Sequence, residues 1–479
     1  MQGVVSWFKK TFIGDRKFYK AVFAIIVPII IQNSISNFVN LLDNLMVGQL
    51  GAAQMSGVAI ANNLLFIFNL CIFGGLSGPG IFGAQFFGAK DMEGFRNTIR
   101  IKLWISAAII LVALGVFLSF GDILIQGYLT GEGDPAVAQA MMISSQEYLA
   151  IMLLGLLPFA LTQSYAGTLR EAGETMLPMI ASIAAVLTNL CGNTLLIFGY
   201  LGFPALGVQG AAIATVISRF VELAIVVVGT HRNKNRFGFM HGVYRTLKVP
   251  GKLLGAVMKK GMPLLLNEAC WSIGVATLMQ IYSTRGLMVM SGMTISSIIS
   301  NLFNVVFVSM GNAVAVMIGQ SLGADNMEQA KRDVWKIMGF SVFCCLVIGS
   351  VMAALSSVFP SIYNIEADVR TLASRFILTA AFMMPINSIA HCSYFTLRSG
   401  GCTILTFLFD SVFSWGIHIP FALFLVHMTN LDIMLLYPLC QSIEIVKSTV
   451  GVLLVKRGIW LKNIVSGHQS EPKAVPQEV

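Results

Sequence analysis

Charge is what this 479-residue sequence has least of. Only 11% of its residues are Asp, Glu, Lys or Arg, where a soluble domain carries roughly 25%. So few charges cannot cover a soluble surface of this size, which excludes a soluble enzyme and a disordered chain. The eight cysteines form no Cys-x-x-Cys pair and mostly sit inside apolar runs. They read as small buried hydrophobes, with no disulfide framework and no metal site. There is no His-Glu-x-x-His, no phosphate-binding P-loop and no Gly-x-Ser-x-Gly. The sequence therefore gives no sign of an enzyme or of a bound cofactor, and an ATP-driven pump is excluded. Alternating segments of about ten residues, the mark of a membrane β-barrel, are missing too.

What is present is apolar: 56% hydrophobic residues and a mean hydropathy of +0.78. A spanning helix needs about 20 mostly apolar residues. Twelve runs qualify, near 22–44, 57–82, 102–121, 142–164, 176–199, 207–229, 262–283, 292–317, 337–357, 372–394, 404–426 and 434–455. The expected fold is an all-α integral membrane protein with twelve transmembrane helices. Its partners are the lipid bilayer and small molecules, and a monomer is expected.

The basic residues fall on one side. The first tail holds Lys9, Lys10, Arg16, Lys17 and Lys20. The gap after span two holds Lys90, Arg96, Arg100 and Lys102. The loop between spans six and seven runs from Arg232 and Lys234 to Lys259 and Lys260, and the last tail adds Lys456, Arg457, Lys462 and Lys473. The opposite side shows Arg285, Arg370 and Arg375. This bias predicts both termini in the cytoplasm and an even number of spans in a plasma membrane. The net charge of +9 then answers an anionic membrane face rather than nucleic acid. Trp7, Phe8 and Phe12 among basic residues suit an interfacial segment over residues 1–20. The expected organisation continues with a six-helix lobe over 21–235, a basic cytoplasmic linker over 236–261, a second lobe over 262–456 and a cytoplasmic tail over 457–479.

Those two lobes repeat each other. A shift of 235 places Pro28 on Pro263, Gly51 on Gly286, Phe68-Asn69 on Phe303-Asn304, Gln85 on Gln320 and Gly88-Ala89 on Gly323-Ala324. A shift of 228 places Thr168-Leu169-Arg170 on Thr396-Leu397-Arg398 and Gly173 on Gly401. Each unit has six spans, so the two are parallel repeats about an axis along the membrane normal, an arrangement used by alternating-access transporters.

Asp43 within Leu42-Asp43-Asn44-Leu45-Met46-Val47-Gly48, the paired Gln-x-x-Gly-Ala stretches, the paired Thr-Leu-Arg turns and Asn189-x-x-x-Asn193 together resemble the multidrug and toxic compound extrusion (MATE) family over all twelve spans. The resemblance implies two six-helix bundles facing a central cleft. It also implies export of organic cations, antiported against H⁺ or Na⁺. Flippases for lipid-linked saccharides share the architecture and form the alternative. A flippase needs cationic residues in its cleft. Among the span-embedded charges only Lys447 and Arg219 read as basic, which favours the exporter.

Polar residues found in one repeat only are the better candidates for function. Asp43 faces Leu278 in the repeat, and Asn189 and Asn193 face Ile417 and Phe421. A carboxylate at the centre of a spanning helix costs about 2.5–3.5 kcal/mol on insertion scales, so it needs a partner, water, a proton or a cation. Asp43 continues a polar stripe through Asn33, Asn37 and Asn40 at helical spacing. The resemblance sets Asn189 and Asn193 beside Asp43 as the cation-coupling group, for H⁺ or for Na⁺. Many relatives carry an aspartate at the Asn193 position. The bland alternative is a hydrogen bond between helices. Glu268, with Trp271 one turn on, offers charge and a π face to an organic cation, or is an interfacial acid. Asn33, Asn37, Asn387 and His391 complete the expected substrate-binding set, and His391 either titrates or simply packs. Sodium-coupled relatives carry an acid at or near Asn387, which this chain lacks, and one about a turn beyond Glu268. Glu222 with Arg219, and Glu444 with Lys447, read as local ion pairs; Asp410 shows no partner.

Overall fold

The structure is a computed structural model and describes residues 11–129, 134–233, 235–363 and 365–468. Trp7, Phe8, Lys9, Lys10, Lys234 and Lys473 lie outside the described residues, as do parts of the expected segments 1–20 and 457–479. Among the described residues there are twelve helices long and apolar enough to cross a membrane. They are α1 Arg16–Gly48, α2 Ala52–Gly88, α3 Met92–Leu129, α4 Pro135–Glu171, α5 Met176–Phe198 and α6 Gly207–Arg232, then α7 Gly251–Ser283, α8 Leu287–Gly323, α9 Met327–Ser361, α10 Ala367–Ser399, α11 Thr403–Met428 and α12 Ile433–Lys456. Short side chains cap several starts: Asp15 accepts from Phe18 N, Asp134 from Ala136 N and Asp432 from Met434 N.

The repeat is carried into geometry. Shifting the ends of α1 and α2 by 235 residues gives the ends of α7 and α8. Lys90 and Asp325, the residues just past α2 and α8, share a left-handed backbone, with φ of 61° and 59°.

Most helices outrun the bilayer, and this moves several basic residues. Arg96, Arg100 and Lys102, expected in a gap, belong to α3, and Arg100 and Lys102 are 3% and 1% exposed. Lys252, Lys259 and Lys260 belong to α7 rather than to a loop. The connection between the lobes is docked: Arg96 Nε donates to Phe239 O at 3.1 Å, and Arg100 Nε to Val243 O at 2.9 Å. Phe12 sits 6.2 Å from the Trp335 ring, so this part of the first segment packs on α9 of the second lobe.

The Thr-Leu-Arg triplets, expected in turns, form the last turns of α4 and α10. The carbonyls at such helix ends have no partner within the helix. Three at each end accept from the turn that follows, and the last is satisfied from the opposite lobe. Gln320 Nε2 donates to Glu171 O at 2.7 Å, and Gln85 Nε2 donates to Ser399 O at 2.8 Å. Gly88 packs on the Gln320 backbone and Gly323 on the Gln85 backbone, so closely that a Cβ on either would overlap. The Gln-x-x-Gly repeat is thus a reciprocal lock that shuts the lobes at the end where the linker lies. The chain beyond α12 is strapped across it. Ile464 N donates to Gln85 Oε1 at 2.8 Å and Asn463 Nδ2 to Gly323 O at 3.4 Å.

A Gly88→Leu substitution is expected to push the lobes apart at this end. Spin labels at Lys90 and Asp325 will report a longer distance than in the parent, read by double electron–electron resonance. Gly115→Leu, at a position with nothing within 4 Å, leaves that distance unchanged.

Candidate functional site

Asp43 lies in the last part of α1, far from the lock, where α1 packs on α5. The structure brings the expected trio together. Asn193 Nδ2 donates to Asp43 Oδ1 at 2.6 Å. The Asn189 amide, in the orientation that satisfies both its neighbours, donates to Asp43 Oδ1 at 2.8 Å and Oδ2 at 3.1 Å and accepts from Thr215 Oγ1. No Lys, Arg or His nitrogen among the described residues stands within 4.0 Å of this half-buried carboxylate. Its charge is met by neutral amides alone. The amides turn their nitrogens to the acid. Asn193 Oδ1 remains buried without a partner, an acceptor beside the acid for a proton or a cation. Among the described residues no group of three His, Cys, Asp or Glu is placed to hold a metal ion.

The expected substrate set is not gathered into one place. Glu268, half-buried on α7, is turned toward Gly74 of α2 and receives a long hydrogen bond of 3.5 Å from Tyr394 Oη. Trp271 is 44% exposed. Asn33 and Asn37 are half-buried on α1, and no hydrogen bond joins them to Glu268. His391 is wedged between α8 and α10. Its ring lies 5.3 Å from Phe307 and 4.9 Å from Phe395, and a Cβ on Gly311 would strike its Nε2. His391 Nε2 and Asn387 Oδ1 are both buried without partners.

Asp410 does have partners. Lys447 Nζ lies 2.7 Å from its Oδ1, and Asn267 Nδ2 donates to Oδ2 at 2.9 Å. Two π-helical turns, Leu408–Val412 and Ser414–His418, interrupt α11 here. Such turns re-aim side chains. Lys447 leans on Asp410, with Glu444 farther away at 3.8 Å, and Glu444 also meets His418 at 3.6 Å. Sequence spacing found only the Lys447–Glu444 pair because Asp410 comes from another helix. The proposed Glu222–Arg219 pair does not form. Glu222 accepts from Ser182 Oγ at 2.5 Å, and Arg219 donates to Gly155 O at 3.1 Å and covers the Phe159 ring.

A cavity of about 280 Å³ lies between the lobes beside the lock. Its charged lining is Lys102, Arg170, Glu171 and Arg398. Lys102 and Glu171 are paired at 2.6 Å. Lys447 and Arg219 are therefore not the only basic residues inside the spans, and the sequence argument against a basic cleft fails. The signal was there in the repeated Thr-Leu-Arg, but arginines near span ends read as surface charges.

The fold is shared with known structures. One solved as "Outward-facing conformation of a multidrug resistance MATE family transporter of the MOP superfamily" superposes with a TM-score of 0.81 at 20% identity, covering 94% of this chain and 97% of that one. Among curated proteins, "Probable multidrug resistance protein YoeA" of Bacillus subtilis (strain 168) is 26% identical over 87% of this chain and 89% of its own length. "Probable multidrug resistance protein NorM" of Thermotoga maritima is 24% identical over 93% and 94%. Residues 28–195 and 263–424 match the family model MatE, one stretch in each lobe. The chain belongs to the MatE family of membrane transporters.

Removing one partner of a buried ion pair leaves the other charge stranded, at a cost of about 3–5 kcal/mol. Asp410→Leu is therefore expected to lower the melting temperature of the purified protein sharply. The double variant Asp410→Leu with Lys447→Met recovers most of that loss, since both charges are then gone.

Proposed function

We propose that this chain is a multidrug exporter of the plasma membrane. It moves amphipathic organic cations outward by alternating access, in exchange for H⁺ or Na⁺ taken up at Asp43. The observation that carries this reading is the unneutralised carboxylate of Asp43 in its cage of amides. An acid held that way, in a bundle that disfavours a lone charge, gains from a proton or a cation. Uptake of either changes how well each of two helix packings fits, and only such differential affinity drives a switch. Asn189 and Asn193 turn with the event: their amides rotate to present oxygen to the proton or ion. Glu268 supplies the negative charge for a cationic substrate where α7 meets α2, with Tyr394 orienting it. The lock at Gln85 and Gln320 is one of the two gates. Both termini are cytoplasmic, the chain works as a monomer, and it binds no nucleic acid.

A flippase for a lipid-linked saccharide is the second reading, favoured by Arg170, Arg398 and Lys102 around the central cavity. Transport into vesicles separates the two: gradient-driven movement of a cationic dye supports the first, and gradient-independent movement of a polyprenyl-linked sugar the second.

Asp43→Asn keeps the shape of the side chain and loses the charge. Dye export driven by an imposed pH or Na⁺ gradient is expected to fall to background, while expression and thermal unfolding stay close to the parent. Efflux with its gradient dependence intact would refute the coupling role.

Glu268→Gln is expected to raise the apparent Km for a cationic dye by roughly tenfold, the loss of one charge-assisted contact. A neutral substrate of similar size keeps its Km. In a background with the native cysteines replaced, a cysteine at Thr246, exposed in the linker, is expected to react with a membrane-impermeant maleimide only after the cells are opened.

A further inference from the structure

The two arginines that end the Thr-Leu-Arg triplets are related by the repeat and line the same cavity. Neither has a carboxylate within 4.0 Å among the described residues. The one acid in the cavity wall, Glu171, is occupied by Lys102, which also donates to Thr168 Oγ1 at 2.9 Å. The guanidinium of Arg398 is held over the rings of Phe73 and Phe395, at 5.8 and 5.1 Å, and its Nη1 is buried with no hydrogen-bond partner. Asn69, also in the wall, has a buried Oδ1 without a partner. Two arginines with no carboxylate within 4.0 Å therefore border a space whose apolar wall includes Phe73, Leu76, Phe159 and Val316.

We propose that this cavity is a binding site for the anionic head of an amphipathic molecule, a phosphate monoester or diester, held between Arg170 and Arg398 with its alkyl part along the aromatic wall. The reasoning is one of charge and donors. Guanidinium groups offer paired N–H donors that match phosphate oxygens. Burying them without an anion is costly. The free Oδ1 of Asn69 accepts from the P–OH of a singly ionised monoester. The site is distinct from Asp43 and does not depend on the cation-export reading. A molecule bound here touches both lobes next to the lock, so it favours the closed state of this end.

The full-length protein in micelles of an uncharged detergent is titrated calorimetrically with monododecyl phosphate. Dodecyltrimethylammonium serves as the charge-reversed probe. Saturable phosphate binding is expected, weakened roughly tenfold by Arg170→Gln or by Arg398→Gln, and more in the double variant. The ammonium probe is unaffected by the substitutions. Arg398→Lys, which keeps the charge and loses the fork, retains an intermediate affinity, so a loss through misfolding is told apart from loss of the ligand contact. Titration with inorganic phosphate, and native mass spectrometry of phospholipid that co-purifies with the parent and with the double variant, identify whether the source is a free anion or a lipid headgroup. Either result that depends on the two arginines supports the site. Monododecyl phosphate binding unchanged in the double variant, or no binding to the parent, overturns it.

Discussion

Two helix ends whose last carbonyls take their hydrogen bonds from the opposite lobe hold this molecule in its present state. In an apolar surrounding an unpaired backbone group is expensive, and α4 and α10 each end where the lobes meet. Glu171 O and Ser399 O take their hydrogen bonds from Gln320 and Gln85 across the divide. The glycines three residues on let the backbones approach closely enough for those amides to reach. This reciprocal contact fixes which end of the cleft is closed. It also sets the cavity beside it and provides the ledge on which the chain beyond α12 lies.

Charge inside the bundle is handled in three different ways. Asp410 is neutralised by a lysine on a neighbouring helix, as Glu171 is by Lys102. These pairs are fixed architecture, because breaking either strands a charge. Asp43 is met by dipoles without a counter-charge. A tethered ammonium next to Asp410 leaves no call for a mobile ion there, whereas Asp43 keeps its demand. The lobes differ in one acid: Asp43 in the first is met by amides, and Asp410 in the second is paired with a lysine. Arg170 and Arg398 are the reverse case, positive charges with no carboxylate within 4.0 Å among the described residues.

Repeat symmetry cuts both ways as a guide to function. It isolates Asp43, Asn189 and Asn193, whose counterparts are apolar. Yet a matched pair can line one cavity, as Arg170 and Arg398 do, and sorting by asymmetry passes over them.

The sequence by itself determined the class of structure. Scarcity of charge and twelve apolar runs leave the chain only a helical membrane solution, since backbone groups in lipid must be paired within each segment. The 235-residue shift predicted helix ends that recur in the structure. Helical spacing put Asn189 and Asn193 on one face, and the family resemblance set that face beside Asp43, 150 positions away. Tertiary structure alone decided the rest. Asp410 and Lys447 are 37 positions apart in sequence, and no periodicity joins them. The Thr-Leu-Arg triplets read as turns because helices buried against protein can extend past the bilayer, keeping polar residues in their last turns. Glu268, His391 and Trp271 share a composition suited to binding a cation, but which way each points depends on how α7 and α10 rotate against α2 and α8. That rotation is set by packing between helices distant in sequence, a quantity no local pattern of residues encodes.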